Sequence, residues 1–121
     1  MKWILGVLLA ITIGIPGVDA KHLHSEKYYQ AIWCIERGGK LEVVMTDGTR
    51  CDCLTGDMAV EVDFAGKFYE GISQALLYGM LTGKQAALLL IVEKDTDWKY
   101  VDRAKEIIRH YCLPVVVFVI E

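Results

Sequence analysis

The fold of this chain is most constrained by a short segment in which apolar and acidic residues alternate, followed directly by a longer segment with apolar residues at helical spacing. Over residues 59–64, apolar side chains alternate with Glu61 and Asp63. A period of two predicts a β-strand that has one apolar face and carries the two acids side by side on the other face. Residues 66–82 then carry apolar side chains at helical spacing, and Gly83 ends that pattern. The segment therefore predicts a strand that is followed directly by a helix.

The rest of the chain predicts further strands and helices on either side of this segment. The Asp47-Gly48 pair marks a hairpin turn, so the strands before and after it pair antiparallel. Two apolar strands near the end are joined by a helix, which predicts a parallel crossover. The expected class is α/β, with one mixed sheet flanked by helices. The predicted order α-β-β-β-α-β-α-β comprises residues 26–37, 41–45, 49–54, 59–64, 66–82, 85–92, 97–111 and 115–120. On the first helix, the inward positions are expected to include Tyr28, Tyr29, Ile32 and Trp33.

Residues 1–20 have the features of a secretory signal peptide. A basic Lys2 precedes an apolar run over residues 3–15, and the small residue Ala20 stands at the expected cleavage site. The run is shorter than the roughly 20 residues that span a bilayer comfortably. An uncleaved anchor and a buried first strand are the alternatives. We expect residues 21–121 to form a single exported domain, periplasmic or secreted, with no stable membrane span after the signal is removed.

Four cysteines stand in the part of the chain that would be exported, where an oxidising compartment favours disulfides. Cys51 and Cys53 are two apart on a predicted strand, so they should point the same way and are poorly placed to bridge each other. A disulfide would then join one of them to Cys34 or Cys112. Buried free thiols are the alternative.

The formal net charge of -3 gives the chain no overall field that would attract a polyanion. This charge counts against a nucleic-acid partner. It does not exclude one, because a metal ion in an active site brings its own positive charge.

Three acids on neighbouring strands form the candidate site. Asp52 lies on the second predicted strand, and Glu61 and Asp63 lie on the third. Carboxylates gathered in this way repel one another unless a cation or a proton sits between them. Oxygen ligands suit hard cations, so the pattern indicates a magnesium or manganese site. A solvated strand face is the alternative interpretation.

The order of elements and the placement of these acids resemble the PD-(D/E)xK nuclease superfamily, particularly its Holliday-junction resolvase and RecB-like members. The resemblance covers essentially all of residues 21–121, and Glu61 to Tyr78 also resembles small exported bacterial proteins of this type. It implies a restriction-endonuclease-like mixed sheet and metal-dependent hydrolysis of DNA or RNA. By the same resemblance, Asp52 and Glu61 would be the two metal-binding acids, Glu26 would be the acid of the first helix, and Gln74 and Tyr78 would match a substrate-binding Gln-x-x-x-Tyr element.

The chain departs from that superfamily at the position of its lysine, which is Asp63 here. A carboxylate cannot supply the positive charge, so either Lys67 reaches back or the domain is catalytically inactive and binds a partner or nucleic acid. The other candidate residues also have non-functional explanations. Gln74 and Tyr78 are four apart on one helix face and can simply contact each other. Lys67 can be solvated, and Glu26 is favoured in a first helical turn by the helix dipole alone.

Overall fold

The computed structural model describes residues 22–121, and the expected signal peptide, residues 1–20, lies outside the described residues. No helix within this part of the chain is long and apolar enough to cross a membrane. The elements are α1 (Glu26–Glu36), β1 (Lys40–Val44), β2 (Arg50–Leu54), β3 (Met58–Phe64), α2 (Phe68–Thr82), β4 (Gln85–Ile91), α3 (Trp98–His110) and β5 (Val115–Ile120). Single 3₁₀ turns, Ala65–Lys67 and Asp95–Asp97, precede α2 and α3.

The five strands of residues 22–121 form one mixed sheet in the order β1-β2-β3-β4-β5. β1, β2 and β3 pair antiparallel as a meander, whereas β3, β4 and β5 pair parallel. The helices α2 and α3 supply the connections that parallel neighbours need. The α/β class and the mixed sheet flanked by helices are thus confirmed.

The sheet lies between α1 on one face and α2 with α3 on the other. On the α1 side, Trp33 packs in one cluster with Val62 and Leu89. On the opposite side, Phe68 packs in another cluster with Leu88. β4 therefore contributes alternate residues to both clusters, which explains its nearly unbroken apolar sequence. This confirms the prediction that the strand is covered on both faces.

The orientation of α1 differs in part from the expected one. Tyr29 and Trp33 are buried as expected, but Tyr28 and Ile32 are 45% and 39% exposed, so their predicted inward placement was wrong. Gln30 is buried instead. Its side-chain amide donates to the backbone carbonyl of Asp52, and this buried partner makes a polar side chain acceptable on the inner face of the helix.

A disulfide joins Cys34 of α1 to Cys53 of β2, one of the pairings that the sequence left open. Gly39 lies so close that an added Cβ would be 2.6 Å from one sulfur and 2.7 Å from the other. Cys51 is a buried free thiol that packs with Tyr78 in a separate cluster. Cys51 and Cys53 thus point to opposite faces, and the expectation that they point the same way was wrong because the strand pairing is interrupted between them. Cys112 is free and exposed.

Candidate acidic site

The sheet has a break at Asp52. The β1–β2 ladder passes over the pair Glu42 and Asp52, and Glu42 has a positive φ of 53°. The β2–β3 ladder pairs only the two residues that follow Asp52, Cys53 and Leu54. At the break, Gln30 Nε2 donates to the Asp52 carbonyl at 2.8 Å. The Val62 N–H donates to Asp52 Oδ2, also at 2.8 Å. In the first bond the Gln30 side chain, and in the second the Asp52 side chain, replaces a backbone group of a neighbouring strand. The second bond holds the Asp52 carboxylate beside β3.

Four carboxyl groups from three elements interact at this break. Glu26 comes from the first turn of α1, Asp52 from β2, and Glu61 and Asp63 from β3. The carboxyl groups of Glu61 and Asp52 act on each other's pKa, and so do those of Asp63 and Glu26. Glu61 and Asp63 are 4% and 6% exposed, so the cluster is closed to bulk water on the β3 side. The alternation of β3 therefore does place its two acids together.

Burial and mutual repulsion make these acids hold protons unusually firmly. Burial, followed by the charges of Asp52 and Asp63, raises the pKa of Glu61 to about 10. Burial and the charge of Asp52 raise the pKa of Glu26 to about 7, and burial and the charge of Glu26 raise that of Asp63 to about 7. The pKa of Asp52 is also raised, chiefly by burial. At neutral pH the metal-free cluster therefore retains protons that ordinary acids would have lost.

Two oxygens of the cluster have no hydrogen-bond donor within residues 22–121. They are Glu61 Oε2 and Asp63 Oδ2, and both atoms are fully buried. A buried polar oxygen without a donor costs free energy unless a proton, a water molecule or a cation satisfies it. The two orphaned oxygens belong to successive positions on the same face of one strand, so a single bound group can serve both.

Lys67 and Tyr78 adjoin the acids. Lys67 is exposed at the end of the 3₁₀ turn Ala65–Lys67, and its positive charge acts to lower the pKa values of Glu26 and Asp63. Tyr78 is buried, and burial, followed by the charges of Glu61 and Asp52, raises its pKa to about 12. This hydroxyl therefore remains protonated near the acids.

The Gln-x-x-x-Tyr pair makes an internal contact. The Tyr78 hydroxyl donates to Gln74 Oε1 at 3.5 Å, which is a weak hydrogen bond. Gln74 is half-buried. Contact between the two side chains, one of the interpretations left open by the sequence, is thus observed.

The sequence interpretation missed three residues that shape the site. Gln30 lies one turn after Glu26 on α1, a spacing that places both on one helix face. Glu42 adds another carboxylate, whose charge contributes to the raised pKa values of Asp52 and Glu26. Gly71 lies inside α2 against Asp63. A glycine within a helical pattern indicates that another part of the chain packs closely against the helix. Of the three residues, Gly71 is therefore the one that the sequence alone could have identified.

Replacing Gly71 with Ala is expected to destabilise the protein. An added Cβ would lie 2.7 Å from Leu88 Cδ1 and 2.9 Å from Asp63 Oδ2. Overpacking of this kind costs about 1 to 3 kcal/mol, and the better helix propensity of alanine offsets about 1 kcal/mol, so we expect a net loss of about 1 to 2 kcal/mol for a tightly packed site. Urea denaturation should show a lower midpoint for Gly71→Ala, whereas Ser73→Ala at an exposed position of α2 should not. An unchanged or higher midpoint for Gly71→Ala would contradict the close approach.

Known proteins do not assign a role to this site. The chain matches no protein-family model, no curated protein and no solved structure at a significant level. Nor do residues 22–121 contain a preformed group of three or more His, Cys, Asp and Glu side chains arranged to hold a metal ion. The functional argument therefore depends on the burial, charge and bonding of the acids themselves.

Proposed function

We propose that this chain is a metal-dependent phosphodiesterase of the nuclease type, with a restriction-endonuclease-like layout, that acts on DNA or RNA. The observation that carries the proposal is the pair of buried, donorless oxygens, Glu61 Oε2 and Asp63 Oδ2, within a cluster of four acids. The helix, three-stranded meander and helix of α1 to α2 bring these acids together. That arrangement is the part of the PD-(D/E)xK resemblance that bears on the site.

The residues present fit a hard divalent cation such as Mg²⁺ or Mn²⁺. All candidate ligands are carboxylate oxygens, which these ions prefer over nitrogen and sulfur. Glu26, Asp52, Glu61 and Asp63 would hold the ion, which would satisfy both donorless oxygens and neutralise the repulsion that raises the pKa values. An ion bound there supplies charge to polarise a phosphate and to lower the pKa of a bound water.

Such a site also needs a positive charge, which the superfamily's lysine supplies. In the resemblance, Asp63 stands at the position of that lysine, so another residue must supply the charge. Lys67 is the cation that already acts on both Glu26 and Asp63. It is exposed and can therefore reach a substrate phosphate. In this proposal, Lys67 stabilises negative charge that develops on the phosphate in the transition state. Tyr78 stays protonated and adds no negative charge beside the acids.

A catalytically inactive exported domain is the second candidate. Two observations favour it: Asp63 occupies the lysine position, and the net charge of -3 provides no general attraction for nucleic acid. Such a domain would keep the fold and bind a partner or nucleic acid without cleaving it.

Cleavage assays with Mn²⁺ on single- and double-stranded DNA and RNA test the proposal. Wild-type protein is expected to cleave at least one of these substrates, and Lys67→Ala should lower the rate roughly a hundredfold, the scale of one lost charge-stabilising group. Lys105→Ala, at an exposed position of α3, is the matched control and should keep full activity.

Each alternative outcome of these assays has a definite meaning. Cleavage that Lys67→Ala leaves unchanged would remove Lys67 from the site but keep the nuclease. Metal binding without cleavage of any of the four substrates would leave only the inactive binding domain.

A further inference from the structure

The strand β5 ends the sheet with an apolar edge. Within residues 22–121 it pairs only with β4, and its sequence, VVVFVI, contains no charged residue. The Val92 N–H donates to the carbonyl of Ile120 at 2.9 Å, so the backbone groups of Ile120 face β4. Because backbone groups alternate along a strand, those of Val116 and Phe118 also face β4, whereas those of Val117 and Val119 face the open edge.

The opposite edge of the sheet, formed by β1, has features that hinder pairing with another strand, and β5 lacks these features. β1 carries the charged residues Lys40 and Glu42, and the positive φ of Glu42 interrupts its regular pairing. Charges and local irregularities of this kind prevent a sheet edge from pairing with another chain. β5 has neither feature over its six residues. Among residues 22–121 no strand covers its edge, which is therefore open to a further strand, and the backbone supplies specific donors and acceptors for it.

Apolar side chains continue the β5 edge onto α1. A groove between the two elements is lined by Tyr28, Ile32, Val119 and Ile120, and its lining also includes the charged residues Glu36, Arg37 and Glu121. Tyr28 and Ile32 are the two α1 residues whose exposure the sequence pattern did not predict. Val116 is 41% exposed on β5 itself. A strand added at this edge would cover apolar side chains as well as backbone groups.

We propose that β5 is a dimerisation strand, which pairs antiparallel with β5 of a second copy of this chain about a two-fold axis at Phe118. In this register, Val117 of each copy exchanges backbone hydrogen bonds with Val119 of the other, so every edge-facing group of these residues is satisfied. The result is a continuous ten-stranded sheet.

The side chains of β5 favour a second copy of the same strand as its partner, and the charge of Glu121 favours antiparallel pairing. The uncharged β-branched strand matches itself, because cross-strand pairs of β-branched and aromatic side chains stabilise a sheet. Glu121 is the one charged residue that adjoins β5 on its carboxyl side. Antiparallel pairing keeps the two Glu121 carboxylates at opposite ends of the interface, whereas parallel pairing would bring these like charges together.

Sedimentation velocity and amide hydrogen exchange test this dimer directly. The sedimentation coefficient is expected to rise with concentration from that of a monomer to that of a dimer. Over the same range, the amides of Val117 and Val119 should become protected, whereas those of Val116, Phe118 and Ile120 should be protected throughout by β4. The β1 amide of Val44 should not respond to concentration. A monomer at every concentration would overturn the proposal.

Two variants isolate the β5 edge. Val117→Pro removes an N–H that faces the edge but none that bonds to β4, and two such bonds are lost per dimer. The dimer Kd should rise at least about tenfold. Val116→Lys places an ammonium group in the apolar interface at a position exposed enough to keep the monomer folded, and should also raise the Kd.

Val44→Lys, at a 65% exposed position on the other edge strand, is the control and should dimerise as wild type does. A dimer that neither Val117→Pro nor Val116→Lys weakens would show that β5 is not the interface. If Val117→Pro lowers the helix and strand content seen by circular dichroism, Val116→Lys alone decides.

Discussion

Replacing Glu61 with Gln is expected to stabilise the metal-free protein at pH 7 and to abolish its response to Mg²⁺ or Mn²⁺. The pKa of Glu61 is about 10 in the folded protein, against an ordinary value of 4.5. At pH 7 the unfolded chain therefore carries an ionised Glu61 that must take up a proton on folding. Each pH unit above 4.5 costs about 1.4 kcal/mol, so the cost at pH 7 is on the order of 3 kcal/mol. Gln is neutral in both states and avoids this cost.

The same substitution removes a carboxylate that the proposed ion needs. Wild-type protein should gain about 2.7 kcal/mol at a metal concentration one hundred times the Kd, and its Tm should rise accordingly. Glu61→Gln and Asp52→Asn should show no such rise. Thermal denaturation with EDTA and with Mn²⁺ measures both effects on one set of variants.

Glu36→Gln is the matched control for charge. Its side chain is on α1, 69% exposed, and lies 3.7 Å from Arg37 rather than near the acids. This variant should keep the wild-type response to metal and the wild-type stability in EDTA. A full metal response in Glu61→Gln would remove Glu61 from the site, and the absence of any response in wild-type protein would end the metal proposal.

The metal-free protein is expected to lose stability as the pH rises from about 5 through 7, contrary to the usual behaviour of globular proteins. The pKa values of Glu26 and Asp63 are about 7 and that of Glu61 is about 10, all above their ordinary values. The folded state then binds more protons than the unfolded state between the ordinary and the raised pKa. Stability is accordingly greatest on the acid side of this window and falls by several kcal/mol across it.

Glu93 sets the acid limit of this profile. Its carboxylate accepts hydrogen bonds from the Tyr29 hydroxyl and from the backbone N–H of Leu23. Although burial acts to raise its pKa, these and related bonds lower it below the ordinary 4.5. A lowered pKa gives stability that is present above 4.5 and is lost as the pH falls through the folded pKa. Stability in EDTA should therefore be greatest near pH 5.

Urea denaturation in EDTA from pH 4 to 9 measures this profile. In Glu61→Gln, the fall in stability above pH 5 should be shallower, because one of the raised pKa values is gone. Saturating Mn²⁺ should reverse the slope for wild-type protein, since the ion binds the ionised carboxylates. A metal-free stability that rises steadily from pH 5 to 8 would contradict the buried, proton-retaining state of the cluster.

The sequence by itself determined the local parts of this protein, because those parts depend on residues that are neighbours along the chain. The alternation in β3 placed Glu61 and Asp63 on one face, and the unbroken apolar run of β4 indicated a strand covered on both sides. The Asp47-Gly48 pair located the turn between β1 and β2, where Gly48 adopts a φ of 87°. Periodicity and turn chemistry act within a few residues, and such signals are visible without a structure.

Only the tertiary structure decided what happens where distant segments meet. Asp52 interrupts the ladder because Gln30 of α1 and the Val62 N–H of β3 bond to it, and neither contact has a signature in local sequence. The same break turns Cys51 and Cys53 to opposite faces, so that Cys53 pairs with Cys34. Long-range hydrogen bonds thus override the period of two at one residue. For the same reason, it is packing between helix and strand that brings Glu26 to the acids of β2 and β3.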